Sequence, residues 1–249
     1  MNKLANKVSI VTGASKGIGE AIAKSLASNG AAVIVNYGRD RDGANRVVTE
    51  ITKSGGKALA IQADVSKKDD VQRLFKEAKA AFGVVDVLVN NAGVFAPGPL
   101  GMITESEFHR HFDTNVLSVL LTTQEFVKQI EGKGGSVINI TSSSVENPGL
   151  PNSALPVASK TAVAAITKIL ASELGPRKIR VNAVAPGATD TEGLRKLGIG
   201  TAIVDHVVSS TPMGRMGTTE DVAPVVAFLA SEDGIWVTGN HILASGGAR

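Results

Sequence analysis

The chain has 249 residues, 43% of them hydrophobic and 20% charged, with a formal net charge of +3. That length suits one large α/β domain with a full core, or two small ones. The charge is too mild and too evenly spread to favour nucleic acid, and the absence of cysteine excludes disulfides, thiolate catalysis and Cys-ligated zinc.

No apolar run approaches the roughly 18 residues of a membrane span. The first strand follows the N-terminus directly, with no signal peptide visible, so the expected location is cytoplasmic and no membrane partner is expected.

Val8 to Val11 reads as a short buried strand and ends in Thr12-Gly13-Ala14-Ser15-Lys16-Gly17-Ile18-Gly19. Helical spacing follows through Ile22, Ala23 and Leu26, and Asn29-Gly30 stops it. Ala32 to Val35 is a second strand, which completes a βαβ unit. Ala44 to Ile51 reads as helix and Ala58 to Ile61 as strand, closed by Asp64-Val65. Ser66 is the expected N-cap of a helix from Lys67 to Phe82.

Val84 to Val89 is a strand ending in Asn90-Asn91-Ala92-Gly93. Thr104, with Glu107 three residues on, predicts a capping box for a long helix reaching about Gln129. A strand from Ser136 to Ile140 precedes a helix from Ser153 to Leu174, and a strand from Ile179 to Val184 ends in Ala185-Pro186-Gly187. Residues 188 to 219 read as an irregular segment, a lid in position, with a short helix near Ile203 to Val208. A helix from Thr219 to Leu229 and a strand around His241 to Leu243 finish the chain. Alternating strands and helices predict one doubly wound domain, a parallel sheet with helices on both faces.

Glycines 13, 17 and 19 stand between a strand and a helix, where a tight turn lets backbone N–H groups approach a pyrophosphate. The spacing is Gly-x-x-x-Gly-x-Gly, and a strand-to-helix turn that needs glycine only for its shape is the plain alternative. The second strand ends Asn36-Tyr37-Gly38-Arg39, with no acid at its tip to accept from a ribose 2′-hydroxyl. Lys16 and Arg39 suit a 2′-phosphate instead, which favours NADP(H) over NAD(H).

Together these stretches resemble the short-chain dehydrogenase/reductase family over essentially the whole chain. The carriers are Thr12 to Gly19, Asp64-Val65, Asn90-Asn91-Ala92-Gly93, Asn115, Asn139 to Ser143, Ser159-Lys160, Pro186-Gly187 with Thr191, and Ser245-Gly246-Gly247. The resemblance implies a seven-stranded sheet and a homo-oligomer, tetramer or dimer, built through the helices that start at Thr104 and Ser153. It implies that Gly13, Ser15, Lys16, Gly17, Ile18 and Gly19 hold phosphates and ribose. Asn36, Tyr37 and Arg39 lie at the adenosine end, Asp64 and Val65 at adenine, and Asn91, Ala92 and Gly93 along the ribose. It implies further that Pro186, Gly187, Thr189 and Thr191 hold the nicotinamide end, that Lys160 bonds its ribose, and that Asn115 supports a water near Lys160. Ser142 or Ser143 would orient a substrate carbonyl; the frame Asn139-Ile140-Thr141-Ser142 favours Ser142.

One position departs from the family pattern. A tyrosine four residues before the lysine would deliver a proton, its pKa lowered by that lysine; here the residue is Pro156. The single tyrosine of the chain, Tyr37, lies at the far end of the expected cofactor. No metal site is expected, because His109 and His111 do not share a helical face. His206 falls in the expected lid, where it is a candidate to reach a substrate, though a solvated histidine is the plainer reading. Trp236 is expected to pack.

The leading reading is an NADP(H)-dependent oxidoreductase acting on a carbonyl, imine or activated alkene, with the proton supplied by water, Ser142, Lys160 or the substrate. A nucleotide-binding protein with lost turnover, a non-redox enzyme in the same pocket, and a proline introduced by mutation are the alternatives.

Overall fold

The computed structural model describes residues 2–130, 132–147, 151–196 and 201–248. Seven strands form one parallel sheet: β1 (Val8–Val11), β2 (Ala32–Tyr37), β3 (Lys57–Gln62), β4 (Val87–Asn90), β5 (Gly135–Ile140), β6 (Ile179–Pro186) and β7 (His241–Ala244). Their order is β3-β2-β1-β4-β5-β6-β7. The chain winds outward from β1 to β3, then returns to the far side of β1 as β4. That reversal opens a crevice at the carboxyl ends of β1 and β4. Every residue of these two strands is buried, which explains their mostly apolar make-up, with Ser9 and Asn90 the polar exceptions.

Helices α1 (Gly17–Ser28), α2 (Arg41–Lys53), α3 (Lys68–Phe82), α4 (Glu105–Phe112), α5 (Ser118–Gln129) and α6 (Ala154–Leu174) follow in chain order, then α7 (Glu192–Lys196), α8 (Thr201–Ser210) and α9 (Thr219–Ala230). One core layer joins the sheet to Leu26 of α1, Val47 of α2 and Val226 of α9. The opposite layer joins it to Phe75 of α3, Phe126 of α5 and Leu174 of α6. The single doubly wound domain expected from the alternating pattern is what forms.

Several local expectations change. Ser66 does not cap α3: its hydroxyl donates to Asp64 Oδ1 at 2.6 Å, and Lys67 holds the cap position. The helix starts one residue later than expected, so Ser66 stands before the cap position and its hydroxyl serves the Asp64 turn. Thr104 does cap α4, accepting from the Glu107 N–H, but the Glu107 carboxylate turns to Arg110 instead of closing the box. The long helix after Thr104 is interrupted by a π-helical stretch, Asp113–Leu117, which joins α4 to α5. The segment after residue 188 is more helical than expected, with α7 and α8; residues 197–200 lie outside the described ones.

Trp236 is 96% exposed, not packed. The backbone beside it is tied to β6 by the Asn182 amide donating to the Val237 carbonyl at 2.7 Å, and the ring faces outward. Among the described residues Ala154–Arg177 is, by length and composition alone, apolar enough to cross a membrane, although Lys160, Lys168 and Glu173 interrupt it. Its apolar face, including Val157, Val163 and Ala171, is buried within the fold.

Candidate functional site

The turn after β1 is shaped by close approach. Gly13 has φ of +61°, and a Cβ there would lie 2.9 Å from Ala92 Cα. A Cβ on Gly19 would lie 2.4 Å from Asn91 Nδ2 and 2.5 Å from the Gly13 carbonyl. Only glycines let the loop lie flat against the end of β4. The two ends are stitched there: Thr12 Oγ1 accepts from the N–H groups of Asn91 and Ala92, both at 2.9 Å. The Asn91 amide donates to the carbonyls of Thr12 and Gly13. Thr12, a carrier of the family resemblance with no role of its own assigned from the sequence, supplies one half of this clasp and the Asn91 side chain the other.

Asn36, at the end of β2, is also a brace. Its Oδ1 accepts from the Gly13 N–H at 3.3 Å, and its Nδ2 donates to the carbonyls of Ile61 and Ala63. Tyr37 is buried and belongs to the core layer with α1 and α2. Lys16 and Arg39 are exposed, and no ion pair among the described residues involves either. Ser15 is buried, its carbonyl accepting from Arg46 at 3.3 Å. Ile18 packs against the core. Asp64 is exposed, with its carboxylate turned to Ser66, and Val65 is buried.

α1 starts directly behind this turn with extended Lys16 at its cap and no side chain capping it. Its first N–H groups and the positive end of its dipole therefore face the crevice. A glycine cradle, an uncapped helix start and two exposed cations nearby fit a dinucleotide phosphate.

The far wall comes from the helices. The π-helical stretch places Asn115 in the interior, 1% exposed. Its Oδ1 accepts from the Val94 N–H at 2.7 Å and its Nδ2 donates to the Val94 carbonyl at 2.9 Å. The same Nδ2 donates to Ser159 Oγ at 2.8 Å, and the Ser159 hydroxyl donates to the Pro156 carbonyl at 2.8 Å. Lys160 is buried, its Nζ donating to the Ile140 carbonyl at 2.7 Å. Burial holds its pKa down at about 8. Gly93 lies between the two: a Cβ there would be 3.0 Å from Asn115 Oδ1 and 3.2 Å from Lys160 Nζ. Beneath them Asn139 accepts from the Asn90 amide at 2.9 Å and donates to Thr167 at 2.9 Å.

Pro156 is the third residue of α6, where its missing N–H has no partner to lose. A cavity of about 160 Å³ opens beside it, walled by Pro97, Ile103, Leu155 and Pro156 and lined also by Glu107 and His111. A larger cleft, about 610 Å³, lies between α1, α2 and α9 and shares no residue with these groups.

Ser142 closes β5 and starts a turn, accepting from the Ser144 N–H at 3.2 Å, with Ser143 next to it. His241 of β7, placed only as a strand residue by the sequence, reaches this turn. Its ring meets Thr141 Oγ1 at 2.8 Å and Glu146 Oε1 at 2.9 Å. Past Pro186 the chain stays close: Thr189 donates to the Gly187 carbonyl at 2.9 Å. Thr191 accepts from the Leu194 N–H, and its methyl would lie 3.7 Å from a Cβ on Gly17. Residues 187–191 thus return over the glycine turn. His206 is exposed on α8. Among the described residues no cluster of His, Asp and Glu could hold a metal.

A family profile described as enoyl-(acyl carrier protein) reductase matches residues 13–249. An uncharacterized oxidoreductase of Methylorubrum extorquens is 53% identical, over 100% of both chains. The structure of a 7 alpha-hydroxysteroid dehydrogenase complexed with NADH and 7-oxo glycochenodeoxycholic acid is 36% identical, with a TM-score of 0.95 over 99% of this chain and 96% of that one. A blue fluorescent protein from a metagenomic library, in complex with NADPH, is 37% identical, with a TM-score of 0.91 over 98% of each chain. Those likenesses span the crevice and both helical layers, and the chain belongs to the short-chain dehydrogenase/reductase family of oxidoreductases.

Proposed function

We propose that the chain is an NADP(H)-dependent oxidoreductase acting on a carbonyl, imine or activated alkene. The observation that carries the proposal is the close approach at Gly93, where Asn115 Oδ1 and Lys160 Nζ converge beside a backbone continuous in sequence with the residues that meet the glycine turn. When bound, the dinucleotide supplies or accepts a hydride.

Gly13, Ser15, Gly17, Ile18 and Gly19 form its phosphate and ribose cradle, with Lys16 and Arg39 on a 2′-phosphate. Asp64 and Val65 border the adenine. Asn91, Ala92 and Gly93 form the central floor, and Pro186, Gly187, Thr189 and Thr191 cover the nicotinamide end. Lys160 holds the ribose through its buried ammonium, and Ser142, with Ser143 beside it, orients the reacting oxygen or nitrogen.

Pro156 stands where a tyrosine acid is expected and brings no proton. General acid catalysis contributes about 10²–10⁴-fold, so carbonyl turnover is slow and depends on water or on Lys160. The same proline supports a second reading, a dinucleotide-binding protein with little turnover. The chain is further expected to act in the cytoplasm as a dimer or tetramer.

Titration with NADPH and NADH, paired with turnover across a carbonyl, imine and enone panel, tests the proposal. The expected result is tighter NADPH binding, slow turnover, and a gain in ketone reduction in Pro156→Tyr. Tight NADPH binding with silence across the panel selects the second reading. No dinucleotide binding overturns both.

A further inference from the structure

The cavity beside Pro156 is unusual in having no proton to give. Its walls at Pro97, Ile103, Leu155 and Pro156 are apolar or lack an acid, and Met102 stands at its rim, 72% exposed. Two ionisable groups line it. His111 is buried, and both its ring nitrogens are engaged by backbone: Nδ1 lies 2.9 Å from the Glu107 carbonyl, and Nε2 accepts from the Ala96 N–H at 3.3 Å. That pairing fixes the Nδ1–H tautomer and commits its proton to the Glu107 carbonyl. Glu107 is the remaining group and the cavity's one formal charge. Its Oε2 is oriented by Arg110 at 3.0 Å, while Oε1 meets no donor among the described residues. The volume, about 160 Å³, matches a single small ring.

We propose that this cavity binds a small cyclic iminium cation and that such cations are the preferred substrates of the oxidoreductase site. The inference deepens the function proposed above and rests on it for turnover, but not for binding. A neutral ketone that accepts a hydride becomes an alkoxide and then requires a proton that this cavity cannot deliver. A C=N⁺ group that accepts a hydride at carbon, with a reduced nicotinamide as donor, breaks its π bond onto nitrogen and becomes a neutral amine. No proton need arrive. The carboxylate of Glu107 favours the cation over the neutral ring before any reaction occurs.

The test uses 1,2-dimethyl-1-pyrrolinium, a permanent iminium, against its neutral analogue 2-methylcyclopentanone. Binding is read by calorimetry and ligand NMR on the protein without dinucleotide, then turnover with NADPH. The cation is expected to bind at least several-fold tighter than the ketone and to be turned over faster. Glu107→Gln is expected to weaken the cation about fivefold and the ketone hardly at all, as for one partly exposed charge. Met102→Trp, a rim substitution, is expected to narrow the cavity and weaken both rings; Leu155→Trp, in its wall, gives the same reading should the first variant not fold.

Equal binding of ketone and cation overturns the proposal, as does cation binding unmoved by Glu107→Gln. Cation binding with the expected variant effects but no NADPH affinity keeps the cavity assignment and overturns the oxidoreductase reading. Binding of the cation with NADPH bound, but faster turnover of the ketone, overturns the assigned substrate preference.

Discussion

Asn115 and Ser159 are joined by a 2.8 Å hydrogen bond from the Asn115 amide to the serine hydroxyl, 44 residues apart in sequence. The bond connects the π-helical stretch to the first turns of α6, and the serine passes it on to the Pro156 carbonyl. Asn115 also clasps both backbone groups of Val94. Asn115→Leu leaves the Val94 N–H and carbonyl and one serine hydroxyl without that partner, all beside a residue 1% exposed. A buried polar group left unsatisfied costs about 1–3 kcal/mol. At roughly 2–4 °C per kcal/mol for a chain of this size, the melting temperature falls by several degrees. Ser159→Ala falls less, because Asn115 retains Val94. Differential scanning calorimetry of both variants checks the order; equal melting points would break the argument.

Much of this was legible from residue patterns. Short, mostly apolar stretches at Val8 to Val11 and Val84 to Val89 mark the two central strands, observed at Val8–Val11 and Val87–Asn90, because both faces of a parallel sheet are covered. The glycine spacing places the turn because a Cβ at Gly13 or Gly19 has nowhere to go. What stayed hidden depends on partners distant in sequence. Asn36 reads from the sequence only as a residue at the adenosine end, and its bracing of Gly13 needs the fold to be seen. Thr12 carried no chemical signal, although it holds the end of β4. The π-helical stretch leaves no mark in an apolar repeat, yet it sets Asn115. His241 looked like any strand residue, because its meaning comes from Glu146 and Thr141 on another loop.

Lys160 makes stability depend on pH. Burial lowers its pKa from 10.5 to about 8, so the folded chain resists the charged form that the unfolded chain accepts. Between pH 8 and 10.5 the unfolded state binds more protons, and stability rises with pH across that window. The penalty is fully present below pH 8 and amounts to about 3 kcal/mol. Lys160→Met should therefore be more stable than the parent at pH 7, less the hydrogen bond to Ile140, and the advantage should vanish by pH 10.5. Urea unfolding of the dinucleotide-free chains across pH 7 to 10.5 measures it; a pH-independent difference would exclude this origin. Ketone turnover that uses the same proton should fall as pH rises through about 8.

Lys16 and Arg39 stand exposed at the mouths of two neighbouring strand ends. A hydrogen bond to a charged group contributes about 1.5–3 kcal/mol. Lys16→Ala and Arg39→Ala should each raise the NADPH dissociation constant at least tenfold and move that of NADH little. Added salt should weaken NADPH more than NADH, since the extra phosphate is the extra charge. Fluorescence titration of both dinucleotides reads this directly. Loss of NADH and NADPH in equal measure would place the two cations on the shared pyrophosphate instead.

His241 ties the Ser142 turn to the edge strand. Its two ring nitrogens face Glu146 Oε1 and Thr141 Oγ1, and the Thr141 hydroxyl itself donates to the Val184 carbonyl at 3.1 Å. The link thus runs from β7 through β5 to β6, and its outer end is the residue that closes the serine turn. Glu146 is about half exposed, so the pair contributes about 1 kcal/mol at most. Glu146→Ala should hardly move the melting temperature. It should loosen the turn, which hydrogen exchange at the amides of Ser144 and Val145 would show. Where Ser142 orients the reacting group, kcat should fall several-fold while dinucleotide affinity stays put, because the glycine turn and its clasp at Thr12 are untouched. Faster exchange with unchanged kcat would remove Ser142 from the reacting centre; a matched fall in kcat and in dinucleotide affinity would mean that the serine turn and the cradle move as one body.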